Sequence, residues 1–239
     1  MFKIKRKIGN SQVGADGNVR LGRMVDMMQD CCGFQLDNCQ ATQDFYRTCC
    51  GTTFLTYRHI EIFDDIKYGD EIEIGTRVFQ IKATQGRRNT LIFNSEGKVL
   101  VATEAGGATI NMETGKPAPM GKEYLERYDL GQKYEGMEYF SRKVPLPKDM
   151  EPERLEPVKV MRSYIDDNGH MNNARYFDVA EEFLPEDFRF KRVRIAYKLP
   201  AKKGEMIFPV RYAMADGRII ISLQNKEGEP FVNIEYTKK

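Results

Sequence analysis

Hydrophobic positions follow a helical period early in the chain and a strand period after it. Apolar side chains recur at steps of three and four between residues 21 and 36, which predicts a helix with one buried face: Leu21, Met24, Val25, Met28, Cys32 and Leu36. Residues 1–12 alternate like a strand, and residues 37–52 leave room for a short second helix. Alternating, β-branched and aromatic stretches predict further strands at 53–63, 71–74, 76–83, 88–94 and 99–111.

The second half repeats this order after a long irregular segment. Residues 112–150 are rich in Gly, Pro and charge, which predicts a linker leading into a strand near 138–144. A strand at 158–163, a turn at 166–170 and a helix at 173–183 follow, with Ala174, Phe177, Val179, Ala180 and Phe183 as its buried positions and Pro185 after its end. Further strands are predicted at 190–199, 206–214, 218–225 and 231–237. The domains are then 1–114 and 138–239, joined by a linker at 115–137.

Short motifs recur in the same order in both halves. Asn94-Ser95-Glu96-Gly97 is followed by Val101 and Glu104, and Asn225-Lys226-Glu227-Gly228 is followed at identical steps by Val232 and Glu235. Asp16 and Asn18 precede the first helix as Asp166 and Asn168 precede the second. Tyr68-Gly69-Asp70 matches Lys203-Gly204-Glu205. A helix followed by an antiparallel sheet that can wrap it is the arrangement of the hotdog fold. We therefore predict an α+β chain with two hotdogs in tandem, each half a long helix wrapped by an antiparallel sheet.

Composition and charge exclude several classes of protein. Hydrophobic residues make up 41% and charged residues 30% of the 239, and a net charge of +2 gives no argument for nucleic acid. No apolar run approaches the roughly 20 residues of a membrane helix, and the basic start lacks the apolar core of a signal peptide, so we expect a cytoplasmic protein. The five cysteines lie within residues 31–50. Their odd number and spacing favour reduced thiols over disulfides or zinc, with Cys31 and Cys32 as helix residues of which one or both are buried.

The main concentration of polar side chains is Asp166-Asp167-Asn168-Gly169-His170-Met171-Asn172-Asn173, which we call the polar turn. Turn and cap chemistry alone explains several of these residues. A functional interpretation also fits: Asp166 activates a water, Asn168 and His170 orient it or the carbonyl, and N–H groups at the helix start hold the oxyanion. That set suits the hydrolysis of a thioester without a covalent intermediate. In the first half the position of His170 holds Arg20, and that of Asn172 holds Gly22, so one site per chain is expected.

The spacing Asp166-x-Asn168-x-His170-x-Asn172-Asn173-x-x-Tyr176, with Glu182 after it, resembles the signature of the acyl–acyl-carrier-protein (acyl-ACP) thioesterases. Gln29 on the first helix and residues 111–117 resemble the same family. The resemblance implies a double hotdog that hydrolyses acyl-ACP to free fatty acid and carrier in fatty acid biosynthesis, without a metal or organic cofactor. It also implies catalytic roles for Asp166, Asn168 and His170, and the acyl carrier protein as partner.

The sequence departs from the family pattern in two places. Plant members carry a catalytic Glu followed by Cys in the strand after the second helix, where this chain has Pro200 and Ala201. A cysteine nucleophile is therefore missing from this half, and Glu181 or Glu182 would have to replace the Glu, with Glu182 as our fourth catalytic prediction. Gly106-Gly107 stands where relatives commonly have a bulky aromatic, which indicates either a β-bulge or a wider acyl pocket.

Substrate and carrier contacts are also predicted from the resemblance. The acyl pocket is expected in the N-terminal hotdog, and the predicted substrate-binding residues are Met24, Val25, Met28, Gly106, Gly107, Asn172, Asn173 and Tyr176. The carrier is acidic, so basic residues near the motif are its predicted contacts: Arg175, Arg192, Arg194 and Lys198. Plain core packing remains the alternative for the methionines, and a solvated charged face for the basic residues. An acyl-CoA thioesterase and a non-catalytic acyl-binding hotdog protein remain alternative functions, and the chain is either a monomer of two hotdogs or a homodimer.

Overall fold

The computed structural model describes residues 1–239, which form two compact units. The first consists of Met1–Arg58 and Phe63–Tyr139, and the second of His59–Ile62 and Phe140–Lys239. Residues 115–137, whose composition predicts a linker, are part of the first unit. None of the helices combines the length and the apolar character needed to cross a membrane.

The first unit is an antiparallel sheet with its helices near the start of the chain. Its elements are β1 Phe2–Lys7, α1 Leu21–Asp37, α2 Gln40–Cys49, β2 Gly51–Ile62, β3 Glu71–Lys82, β4 Gln85–Asn94, β5 Val99–Asn111 and α3 Lys122–Leu125. The last four residues of β2, His59–Ile62, belong to the second unit. The strand order is β1-β3-β4-β5-β2. The strands predicted at 71–74 and 76–83 are one continuous strand, because Gly75 pairs within β3 and does not interrupt it.

The predicted amphipathic helix at 21–36 is confirmed as α1. Its buried face is formed by Leu21, Gly22, Met24, Val25, Met27, Met28 and Cys31. This face packs against β3, and burial of apolar side chains is what stabilises a helix of this kind. Cys32 stays partly accessible to solvent, whereas its neighbour Cys31 is fully buried.

The second unit contains the shorter helix and the second sheet. Its elements are β6 Glu153–Arg154, β7 Val158–Lys159, α4 Arg175–Glu181, β8 Phe190–Tyr197, β9 Met206–Ala213, β10 Ile219–Gln224 and β11 Pro230–Lys238. The strand order is β8-β11-β10-β9, and both β6 and β7 pair with β9.

The strand predicted at 158–163 is only Val158–Lys159, and two further predictions for this unit differ from the structure. Residues 138–144 form no strand, because side chains rather than a neighbouring strand hold this segment: Asn233 donates to the carbonyl of Val144 at 3.0 Å, and Arg194 donates to those of Ser141 and Lys143. The helix predicted at 173–183 is only seven residues long. It gives way to tighter turns that end before Pro185, where the Leu184 amide donates to Glu181.

The repeat predicted from the hairpin motifs is visible in their hydrogen bonds. Asn94 Oδ1 accepts the amides of Glu96 and Lys98 at 3.1 and 2.8 Å, and Asn225 Oδ1 accepts those of Glu227 and Glu229 at the same distances. The glycine of each turn has a positive φ, 82° at Gly97 and 83° at Gly228. In both units the strand that follows carries a buried glutamate paired with an arginine, Glu104 with Arg87 and Glu235 with Arg218.

The turns before α1 and α4 are also equivalent, in a register two residues away from the one inferred from sequence. In the first unit Gly14 donates to Asn18 and Val13 bridges Val19; in the second Asp166 donates to His170 and Ile165 bridges Met171. The positive-φ glycines Gly17 and Gly169 then coincide. The equivalents of Asp166, Asn168, His170 and Asn172 are therefore Gly14, Asp16, Asn18 and Arg20. This corrects the matches of His170 with Arg20 and of Asn172 with Gly22.

Candidate active site

The polar turn is a closed loop built around the carboxylate of Asp166. Its Oδ1 accepts the amide of Asn168 at 2.9 Å and that of His170 at 3.4 Å, while the Asp166 amide donates to the His170 carbonyl at 2.9 Å. Gly169 completes the loop with φ +75°, a conformation that glycine adopts readily. Asp166, Asn168 and His170 are thus held on one rigid turn.

Several polar atoms of this turn form no hydrogen bond with the protein. They are the second carboxylate oxygen of Asp166, the side-chain carbonyl of Asn168 and both ring nitrogens of His170; the Asn168 amide nitrogen donates to Asp167 at 3.2 Å. Asp166 and His170 are partly exposed and Asn168 is exposed. The turn therefore offers two oxygen acceptors and an imidazole to a bound molecule.

The start of α4 is less open than the sequence suggests. The helix begins at Arg175, and Asn172 accepts both nearby amides, that of Ala174 through Oδ1 at 2.9 Å and that of Arg175 through its carbonyl at 2.9 Å. These N–H groups are consequently not free to hold an oxyanion, and the Asn172 side chain caps the helix. Asn173 differs, because its backbone amide and side chain form no hydrogen bond with the protein and only its carbonyl is used, by Tyr197.

The loop after β8 is tied directly to the polar turn. The amide of Met171 donates to the Ala201 carbonyl at 2.8 Å, and the amide of Ala201 donates to the Tyr176 hydroxyl at 3.0 Å. Pro200 and Ala201, which replace the Glu and Cys of plant members, therefore lie beside the turn. Pro200 is exposed and Ala201 buried, and neither side chain can transfer a proton.

Tyr176 is buried and holds this loop through its hydroxyl. Its side chain is only 2% exposed, and its ring packs edge-on against that of Tyr197. Burial raises the pKa of Tyr176 to about 12, and the charges of Glu205 and Asp166 act in the same direction. The phenol therefore stays protonated at neutral pH, and its predicted role in substrate binding stays a prediction.

Glu182 and Glu205 are two exposed glutamates to be considered as substitutes for the missing one. Glu182 is exposed at the C-terminal end of α4, about 10 Å along the helix from the polar turn, so the structure does not bring it to the cluster. Glu205 was missed by the sequence analysis and lies close enough to affect Tyr176. Its carboxylate accepts the Lys202 amide at 2.7 Å, as Asp70 accepts the Lys67 amide at 2.8 Å in the other unit. This equivalence indicates that Glu205 closes a turn.

Three of the four basic residues predicted to contact a carrier are engaged inside the second unit. Arg175 pairs with Asp178, Arg192 with Glu61, and Arg194 with Glu235. Arg175 and Arg194 are each only 9% exposed. The fourth, Lys198, is exposed, as are Lys202 and Lys203 beside the loop at Ala201.

The residues predicted to form an acyl pocket lie in the first unit, where Met24, Val25 and Met28 are buried. The pairing of β4 with β5 runs without a shift past Gly106 and Gly107, so the predicted β-bulge is absent. A Cβ on Gly106 would lie 2.1 Å from the ring of Tyr57, whose hydroxyl donates to Glu104 at 2.7 Å. A tyrosine from β2 therefore takes the space that a larger residue at 106 would fill.

We expect Gly106→Ala to lower the free energy of unfolding by about 2–3 kcal/mol, because the rigid Tyr57 ring has to move. Gly33→Ala is the matched control: a Cβ there meets nothing within 4 Å, so this change in α1 is expected to stabilise by about 0.5–1 kcal/mol. Urea unfolding followed by circular dichroism measures both. Equal effects of the two changes would contradict the packing of Tyr57 on Gly106.

No group of three or more His, Cys, Asp or Glu side chains is arranged to hold a metal ion.

Two antiparallel sheets in tandem, each with its helix, form the double hotdog architecture, and solved structures share this fold. An acyl-ACP thioesterase from Bacteroides thetaiotaomicron matches with a TM-score of 0.88 and 19% identity over 99% of this chain and 97% of that one. A 12:0-ACP thioesterase from Umbellularia californica matches with a TM-score of 0.84 and 13% identity over 100% and 96%. No curated protein sequence was found to match the chain.

The family models identify the chain more specifically. The acyl-ACP thioesterase N-terminal domain matches residues 1–128, and the acyl-ACP thioesterase C-terminal domain matches residues 148–229. The chain therefore belongs to the acyl-ACP thioesterase family, and its double hotdog fold and thioesterase class follow.

Proposed function

We propose that the protein hydrolyses the thioester of fatty acyl-ACP to free fatty acid and ACP, in fatty acid biosynthesis, with Asp166, Asn168 and His170 as its catalytic residues. The observation that carries this proposal is the polar turn itself. It holds the three residue types rigidly together, yet leaves an Asp166 oxygen, the Asn168 carbonyl and the His170 ring without protein partners. In a thioesterase family this is the group best suited to act on water.

In the proposed reaction Asp166 is the general base. Its Oδ1 is occupied by two backbone amides, so Oδ2 is the oxygen that takes a proton from water. The Asn168 carbonyl accepts the other hydrogen of that water and orients it. The water oxygen attacks the thioester carbonyl, the C–S bond breaks, and the thiolate of the carrier leaves and takes up the proton.

The developing oxyanion requires donors near the turn. The backbone and side-chain amides of Asn173 are unused by the protein, and the His170 ring can donate from one nitrogen. We assign these groups to the carbonyl oxygen. Asn172 and Tyr176 support them by capping α4 and by holding the loop at Ala201.

The direct test is hydrolysis of matched acyl chains presented on ACP and on CoA. Higher kcat/KM on ACP is the expected result. Equal or higher kcat/KM on CoA would instead favour an acyl-CoA thioesterase. Tight binding of acyl chains without turnover on either carrier would overturn the proposal in favour of a binding protein.

The exposed lysines beside the loop at Ala201 are the proposed landing site for the acidic carrier. We expect the double change Lys198→Glu and Lys202→Glu to raise KM for acyl-ACP by about ten-fold, because like charges repel at the contact, while leaving hydrolysis of a carrier-free acyl-pantetheine unchanged. Lys191→Glu is the matched control, since Lys191 is exposed about 20 Å away at the other end of β8. The landing site is elsewhere if all variants show the same KM.

A further inference from the structure

A second cluster of reactive groups lies in the first unit, around Cys32 of α1. Its sulfur is 3.5 Å from the Thr76 hydroxyl on β3 and 3.4 Å from the Thr90 hydroxyl on β4. The guanidinium of Arg88 on β4 donates to Thr76 at 3.4 Å and to Gln35 at 3.1 Å. Two hydroxyls and a cation thus surround one thiol.

Arg58 on β2 adds a second cation, and its environment is unusual. The residue is only 3% exposed, its Nε has no hydrogen-bond partner, and its one hydrogen bond is from Nη1 to the sulfur of Met28 at 3.6 Å. Neither Arg58 nor Arg88 forms an ion pair with a carboxylate. A buried cation without an anion is strongly unfavourable. The thiol of Cys32 is the acidic group that interacts electrostatically with both guanidinium groups.

The two adjacent cysteines show how local this effect is. Burial raises the pKa of Cys31 to about 12, and its thiol donates to the Ile74 carbonyl at 3.4 Å. Burial would raise the pKa of Cys32 as well, but Arg88, Arg58 and hydrogen bonds from Thr76 and Thr90 outweigh it and lower that pKa to about 7. The phenols of Tyr46 and Tyr128, which interact with Arg88, have pKa values raised by burial and stay neutral.

We propose that Cys32 is a modification site at which a thiolate, stabilised by Arg58 and Arg88, attacks small electrophiles of the peroxide class, such as hydrogen peroxide. Cys32 is partly exposed, whereas its neighbour Cys31 is fully buried. The sulfur attacks one peroxide oxygen, an S–O bond forms and the O–O bond breaks. Hydroxide leaves, and two electrons pass from sulfur to peroxide, which gives a sulfenic acid. This site is independent of the proposed hydrolysis.

The test compares the five thiols of the full chain under iodoacetamide at pH 7, with peptide mass spectrometry as the readout. Cys50 is the internal reference, because it is exposed and Glu113 raises its pKa. We expect Cys32 to be alkylated at least about five-fold faster than Cys50, although it is less exposed, and its rate to rise with pH around a midpoint near 7. Faster reaction of Cys50 at pH 7 would overturn the proposal.

Variants then test the two cations. Arg88→Gln and Arg58→Gln are each expected to slow alkylation of Cys32 at pH 7 by about five-fold and to move its pH midpoint upward. Cys31→Ser is the control and should leave the alkylation rate of Cys32 and its pH midpoint unchanged. Circular dichroism checks the fold, and if an arginine variant does not fold, the comparison of Cys32 with Cys50 in the unchanged protein decides. After treatment with peroxide, a dimedone adduct is expected at Cys32, and an adduct at Cys50 instead would contradict the proposal.

Discussion

Replacing Asp166 by asparagine is expected to lower kcat for acyl-ACP by about 10²–10⁴-fold, the range for loss of a general base. The change is well suited to the structure. Asparagine keeps an oxygen at Oδ1 to accept the amides of Asn168 and His170, so the polar turn is retained. It removes only the charge and the basic oxygen. The free energy of unfolding should therefore change by less than about 1 kcal/mol.

Asp167→Asn is the matched control for this prediction. Asp167 is adjacent and exposed, and its carboxylate accepts a hydrogen bond only from the Asn168 side chain. We expect at least half of the original kcat in this variant. Steady-state kinetics on acyl-ACP with thermal melts of both variants gives the answer. Full activity of Asp166→Asn would remove Asp166 as the base, and an equal loss in both variants would indicate a general effect of charge at the turn.

The largest expected effect on stability is at Glu235. Its carboxylate is 4% exposed and receives Arg194 at 2.9 Å and Arg218 at 2.7 Å. Glu235→Gln leaves the buried Arg194 without its counter-charge, and breaking a buried pair in this way costs about 3–5 kcal/mol. In a unit of about 100 residues the melting temperature should fall by roughly 12–20 °C. Differential scanning calorimetry measures the shift.

Glu227→Gln provides the comparison for Glu235. Glu227 lies in the exposed hairpin turn of the same sheet and pairs only with Lys226, at 3.6 Å. Surface pairs of this kind contribute little, so a change of less than about 0.5 kcal/mol is expected. Similar melting temperatures for the two variants would show that the ion pairs of Glu235 do not stabilise the fold.

The internal repeat explains why the order of helices and strands could be predicted from the sequence. Asn, Gly and Glu at fixed steps encode the same hairpin and the same buried Arg–Glu pair in both units, and turn residues act locally. The register of the turns before α1 and α4 was misjudged by two residues. That register depends on which residues form the β-bridge that closes each turn, Val13 with Val19 and Ile165 with Met171. The amino-acid sequence of a polar turn does not specify this pairing.

The candidate site was predicted from sequence in the same way and for the same reason. Asp166, Asn168 and His170 lie within five residues, so one turn brings them together whatever the rest of the chain does. Predictions for side chains whose partners are distant in the sequence differ more from the structure. Arg194 looks like a free surface charge in sequence, but Glu235 and two carbonyls occupy it. The contact of the Tyr176 hydroxyl with the loop at Ala201 was likewise not evident from sequence.

The α+β double hotdog, the amphipathic face of α1 and one polar turn per chain were all predicted from sequence alone. Periodicity and turn chemistry act over a few neighbouring residues, so local patterns are sufficient for these features. Only the tertiary structure decided which groups are free. It filled the space at Gly106 with Tyr57, and it placed Arg58 and Arg88 so that together they lower the pKa of Cys32, whereas burial raises that of Cys31. Burial and pairing depend on residues far apart in the chain, and neither is encoded in a local pattern.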